Sequence, residues 1–156
     1  MKLSYASSYN IDDVDRKIIR LLQKDSRKSF NKLSEGVEIA VGTAYNRVKN
    51  MEDKGIIKGY SVLLDSDKLG YNLTALILVE ADGQYLTEVE NKLAKLDEVI
   101  SIYDITGEYD IAVISRFKDR TQLNKFIKST LKMPHVTNTT TNVVLNVVKE
   151  DFRLKV

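Results

Sequence analysis

The chain has 156 residues, 43% of them hydrophobic and 29% charged, the proportions of one ordinary soluble domain or two small ones. It has no cysteine, which excludes disulfides and thiolate metal sites, and no run of about 18 apolar residues such as a membrane-spanning helix needs. The net charge of +2 divides unevenly: residues 1–60 carry 12 Lys+Arg against 8 Asp+Glu, a net of +4, and residues 61–156 carry 12 against 14, a net of −2, so the N-terminal part is the one that attracts a polyanion.

The first ten residues, with Ser4, Ser7, Ser8 and Asn10, read as a flexible arm without the apolar stretch of a secretory signal, which points to a cytoplasmic protein. Val14, Ile18, Leu21 and Leu22 then recur at helical spacing, with Asp12 or Asp13 as cap and Asp15 near the positive end. Residues 25–29 read as a turn, and Ser29 caps a short second helix from Phe30 to about Gly36. After a turn over residues 37–40, a third helix runs to near Gly55, whose position suits a C-terminal glycine. In that helix Val41, Ala44, Val48 and Met51 form one apolar stripe. Thr43, Asn46, Lys49 and Asn50 lie opposite, with Arg47 at the flank. Such side chains have the reach and the donors that base edges and phosphates require, so the face fits a recognition helix; periodicity alone fits an ordinary solvated face equally well. Residues 56–64 have strand composition, and residues 63–70 read as a linker rich in turn formers.

The second half is more regular. Residues 73–81 form an apolar strand; Leu86, Val89, Leu93 and Leu96 step like one face of a helix; residues 99–105 and 111–117 are strands on either side of a turn. Leu123, Phe126, Ile127 and Leu131 mark another helix that Pro134 ends, and residues 143–148 read as a last strand. The order β-α-β-β-α-β is the split-βαβ arrangement, in which both helices cover one sheet face. Yet the strands are apolar on both sides: Leu73, Ala75, Ile77 and Val79 oppose Leu76 and Leu78, Ile111 and Val113 oppose Ala112 and Ile114, and Val143, Leu145 and Val147 oppose Val144 and Val148. A second apolar face needs cover, and a second copy of the chain supplies it most economically; the other reading is cover by the N-terminal domain.

No phosphate-binding loop, dinucleotide glycine pattern or nucleophile elbow occurs, and the single histidine, His135, cannot make a transition-metal site alone. No cofactor, metal, catalytic residue or membrane contact is therefore expected.

The strings Ile11-Asp12-Asp13-Val14-Asp15-Arg16-Lys17-Ile18-Ile19 and Arg47-Val48-Lys49-Asn50-Met51-Glu52-Asp53-Lys54-Gly55-Ile56-Ile57-Lys58-Gly59-Tyr60 resemble the Lrp/AsnC, or feast/famine, family of transcriptional regulators. The third helix of that family usually opens with serine and proline, where this chain has Ala40 and Val41, and the family often has a basic residue at the place of Asn46. Thr106-Gly107-Glu108-Tyr109-Asp110 resembles the family's Gly-x-Tyr-Asp hairpin, so the resemblance covers nearly the whole chain. It implies an α+β protein: a winged helix-turn-helix DNA-binding domain over residues 1–60, a linker over 61–70, and a ferredoxin-like βαββαβ domain over 71–156 that senses an amino acid and oligomerises. Thr43, Tyr45, Asn46, Arg47, Lys49 and Asn50 are then the candidates for contact with double-stranded DNA. Asp104, Thr106, Gly107, Tyr109, Asp110, Thr139, Thr140 and Thr141 are the candidates for a free amino acid, held between neighbouring dimers. Backbone N–H groups near Gly107 suit its carboxylate and Asp110 or Asp104 its ammonium. The polar walls favour glutamine or another polar amino acid over leucine. The resemblance also implies dimers assembled into tetramers or octamers of dimers. Two other readings share the layout: a haem-precursor decarboxylase, which in related proteins depends on histidines, and an amino-acid sensor acting by protein contact.

Overall fold

The computed structural model describes residues 10–156, so the expected N-terminal arm lies, save Asn10, outside the described residues. The chain divides into two units: one runs through Leu63 and takes in Asp151–Val156, and the other is Leu64–Glu150. No described helix is long and apolar enough to cross a membrane.

The first unit holds α1 (Asp13–Lys24), α2 (Phe30–Val37) and α3 (Val41–Asp53). Asp12 starts α1 by accepting the Asp15 N–H at 2.9 Å, and the Asp15 carboxylate reaches back to the Asp12 N–H at 3.4 Å, a capping box made of two acids. Ser29 caps α2 by accepting the Lys32 N–H. The turn into α3 passes through Glu38 in the left-handed region (φ 57), and Ala40 begins α3 with no side-chain cap. Ile18, Leu33, Val37, Val48 and Met51 make the core. Val41 is an exception to the expected stripe: it stays 43% exposed, because it sits at the margin of the stripe and in the helix's first turn.

Residues 56–64 do not form the expected strand. The Ile56 and Ile57 N–H groups both donate to the Met51 carbonyl, at 2.9 and 3.1 Å, and both side chains pack on the core. Beyond them Val62, Leu63 and Leu64 are exposed, for a strand exists only with a ladder partner and none is offered among the described residues. The last six residues pack with this unit: Arg20 Nε donates to the Val156 carbonyl at 2.5 Å and Gln23 Nε2 to the Leu154 carbonyl at 3.1 Å.

The second unit runs β1 (Leu73–Ala81), a 3-10 turn (Gly83–Tyr85), α4 (Leu86–Leu93), β2 (Val99–Asp104), β3 (Ile111–Phe117), α5 (Arg120–Leu131) and β4 (Val136–Val143). The sheet order is β2-β3-β1-β4 with every neighbour antiparallel, as the split-βαβ reading requires. Ala75, Ile77, Val79, Ile111, Val113 and Phe117 turn inward and share one core with Val89 and Leu93 of α4 and Leu123 and Phe126 of α5. Leu76, Leu78, Ala112 and Ile114 alternate to the opposite face and are half-buried.

The last strand is not the apolar run 143–148. β4 is the threonine-rich segment before it, paired with β1 from Val136 opposite Ala81 to Val143 opposite Ala75. Threonine is β-branched and suits a pleated edge, which hydrophobicity alone does not register. After the Val144 N–H donates to the Thr74 carbonyl the chain leaves the sheet, and Leu145 is 98% exposed.

Candidate functional site

α3 divides cleanly between inside and outside. Ala44, Val48 and Met51 are buried, and Thr43, Tyr45, Asn46, Lys49 and Asn50 are exposed. The Tyr45 ring rests edge-on against Phe30, with centroids 5.2 Å apart, and Lys49 Nζ lies 3.4 Å from Asp53. Arg47 is the candidate that forms ion pairs with another helix. Its Nη1 donates to Asp12 Oδ2 at 2.6 Å and Asp15 Oδ1 at 2.9 Å, tying the middle of α3 to the start of α1. The two carboxylates, Asp15 foremost, raise the guanidinium pKa further. The Asp12 carboxyl is held below its ordinary value, first by the Asp15 N–H and then by Arg47. The outer face therefore offers hydroxyl, phenol and amide groups and one lysine, while Arg47 sets the angle at which they are presented.

The hairpin between β2 and β3 is built on its backbone. The Ile105 N–H donates to the Asp110 carbonyl at 2.8 Å, and Gly107 sits at φ 132, where an L side chain is strained. The Asp110 N–H donates to the Val79 carbonyl at 3.1 Å, and its Oδ2 accepts the Ala81 N–H at 2.9 Å. Asp110 thus straps the point between Glu80 and Ala81 where the β1–β4 register shifts. The Tyr109 hydroxyl lies 2.7 Å from Thr140 Oγ1. Thr140 stands opposite Leu78 in register, whereas Thr139 and Thr141 stand opposite Val79 and Ile77, so they point to the other face of the strand. The structure brings Tyr109 and Thr140 together, leaves Asp104, Thr106 and Gly107 exposed, and parts Thr139 and Thr141 from them.

The profile of the Lrp/AsnC ligand binding domain matches residues 74–154, and that of a winged helix-turn-helix DNA-binding domain matches residues 11–58. The chain belongs to the Lrp/AsnC family of transcriptional regulators. An HTH-type transcriptional regulator of Pyrococcus furiosus is 49% identical over 145 residues, 93% of this chain and 98% of that one. Among solved structures, E. coli AsnC matches with a TM-score of 0.86 at 26% identity, covering 94% of this chain and 99% of that one. A Neisseria meningitidis transcriptional regulator, solved as a complex with L-methionine, matches with a TM-score of 0.85 at 29% identity, covering 92% and 95%. The fold is that of the family: an N-terminal winged helix-turn-helix and a C-terminal α+β domain with a four-stranded sheet.

In this Lrp/AsnC regulator one acidic group near the hairpin escaped the sequence reading. Glu90 of α4 is half-buried, and its carboxyl pKa is raised by that burial and then by the charge of Asp104. Its place four residues after Leu86, on the inward side of the helix, was the available signal. Two cavities open elsewhere in the second unit. One of about 520 Å³ lies between α5 and the end of β4, lined by Leu73, Leu123, Ile127 and Val143 among others; one of about 350 Å³ involves Asp65, Asp67, Arg116 and Glu150. None of the effector candidates lines either.

Proposed function

We propose that this DNA-binding regulator acts as a dimer whose two copies of α3 enter successive major grooves of a pseudo-palindromic duplex, and that a free amino acid at the 104–110 hairpin biases its assembly. The observation that carries the DNA half is the division of α3: Ala44, Val48 and Met51 are buried, while Thr43, Tyr45, Asn46, Lys49 and Asn50 face outward. Half-sites then lie one helical turn apart, roughly 34–36 Å. Lys49 supplies phosphate contact, and Asn46 and Asn50 suit adenine. The test is selection of sites from a random duplex pool, followed by affinity measured against salt. A selected site whose affinity falls steeply with salt is expected; salt-independent binding or no enrichment defeats the reading.

The dimer joins through the sheet face that the helices leave open. Leu76, Leu78, Ala112 and Ile114 occupy it, and Tyr103, opposite Ala112 in register, adds a 49% exposed ring. Membership of the family supports further assembly of these dimers into tetramers or octamers of dimers. The amino-acid effector rests on the Gly107 turn and on the L-methionine complex of the Neisseria relative. In our reading the exposed backbone at Gly107 takes the carboxylate and Asp104, the more exposed of the two acids, the ammonium, while Asp110 Oδ2 accepts the Ala81 N–H. Thr140 favours a polar amino acid such as glutamine. Calorimetric titration of the parent, Gly107→Val and Asp104→Ala with all twenty amino acids tests this. Binding lost in both variants is expected. If none binds the parent, the sensing half fails and the DNA half stands.

A further inference from the structure

We propose that Val41 and Tyr45 read thymine C5-methyl groups in the major groove and so make this regulator prefer A·T pairs beneath the first turns of α3. The proposal rests on the DNA-binding reading above and names what that site recognises. An α-helix on a three-helix core has every reason to bury its apolar residues, and Ala44, Val48 and Met51 are 0%, 3% and 1% exposed. Val41 and Tyr45, one turn apart, remain 43% and 49% exposed. Both are held rigidly enough to recognise a shape. A β-branched valine in a helix keeps essentially one rotamer, and the Tyr45 ring is steadied edge-to-face by Phe30, which itself packs on the core.

The surroundings point to a base edge rather than to a phosphate. Residues 41–46 carry no charged side chain, and the next residue, Arg47, is bound to Asp12 and Asp15. Gly42 adds no bulk between Val41 and Thr43: a Cβ there would meet nothing within 4 Å, so the backbone of the first turn can come close to the groove floor. Recognition helices place their N-terminal residues against bases, and the C5-methyl of thymine is the one apolar group those bases present there. Asn46, beside Tyr45, suits the adenine across the pair. The +4 charge of residues 1–60 brings the backbone of a duplex to this unit.

The test uses the full chain and a site selected from a random duplex pool. Each thymine is replaced in turn by uracil, which keeps the base pair and removes only the methyl. At one or two positions per half-site, uracil is expected to lower affinity about fourfold, the factor for one buried methyl. That penalty vanishes in Val41→Ala or Tyr45→Ala at the position each contacts, while affinity for the uracil duplex stays equal to the parent's. Val41 is exposed, so Val41→Ala keeps its fold and decides the matter if Tyr45→Ala proves unstable. Indifference to uracil at every position, or a penalty that persists in Val41→Ala and Tyr45→Ala alike, overturns the proposal and leaves DNA binding standing. Failure of the pool to yield any site overturns both.

Discussion

A guanidinium held by two carboxylates at 2.6 and 2.9 Å joins two helices, and Arg47 does so between α3 and the first turn of α1. Asp15 is the better shielded partner, with its side chain 13% exposed. Arg47→Ala is therefore expected to lower stability and to weaken DNA binding at all sequences together, rather than at one base pair. A double-mutant cycle with Asp15→Ala should return a coupling of about 1 kcal/mol in chemical unfolding. The Asp12 carboxyl has a folded-state pKa below its ordinary 3.8, so its share of the clamp is present above that value and is lost as pH falls through the depressed one. Unfolding midpoints of the parent between pH 5 and about pH 2 should show that loss, and an Asp12→Asn variant should show less of it. Gly107 works by conformation instead. At φ 132, Gly107→Val is expected to cost about 1–3 kcal/mol, read as a lowered unfolding midpoint, because the added side chain meets backbone strain although nothing lies within 4 Å of its Cβ.

Among the three helices of the first unit, α3 has the weakest start. α1 and α2 each open on a side chain that accepts a backbone N–H, Asp12 and Ser29, whereas Ala40 offers none. Ala40 has the extended backbone of a cap (φ −64, ψ 147), so serine fits without rearrangement. Ala40→Ser is expected to raise stability by about 1 kcal/mol in chemical unfolding, with the oligomer unchanged. An unchanged midpoint would mean that the first turn of α3 is already satisfied by other means. β4 shows the opposite balance, with weak hydrophobicity but a ladder to β1 from Val136 to Val143 that shifts register once, at Glu80/Ala81. Its threonines hold an edge because cross-strand pairing and β-branching, not burial, stabilise it.

At the scale of the whole molecule, the sheet face bearing Leu76, Leu78, Ala112 and Ile114 governs assembly in our reading. Leu78→Lys places a charge at its middle, opposite Ala112 on one side and Thr140 on the other. If a second copy covers that face, the buried ammonium costs about 3 kcal/mol, over a hundredfold in dissociation constant. Sedimentation of the full chain should then show a monomer where the parent is a dimer or an assembly of dimers. A Leu78→Lys variant that keeps the parent's mass would move the interface elsewhere, with the exposed Val62, Leu63 and Leu64 the next surface to examine.

What depends on near neighbours along the chain was legible in the sequence. The helical spacing of Val14, Ile18, Leu21 and Leu22, the caps Asp12 and Ser29, the two-sided strands 73–81 and 111–117, and the turn at Gly107 all rest on contacts within a few residues or on one residue's backbone freedom. The tertiary structure decided what depends on distant partners. The ion pairs of Arg47 with Asp12 and Asp15, more than 30 residues away, could not be read from the sequence. Nor could the bond that Asp110 Oδ2 accepts from the Ala81 N–H, 29 residues away. Residues 143–148 and 56–64 looked like strands because apolar composition is local, but a strand also needs a ladder, and β1 took residues 136–143 as its partner instead. Side-chain chemistry is written in the sequence, and the use of that chemistry is settled by whichever group the fold brings to within 3 Å.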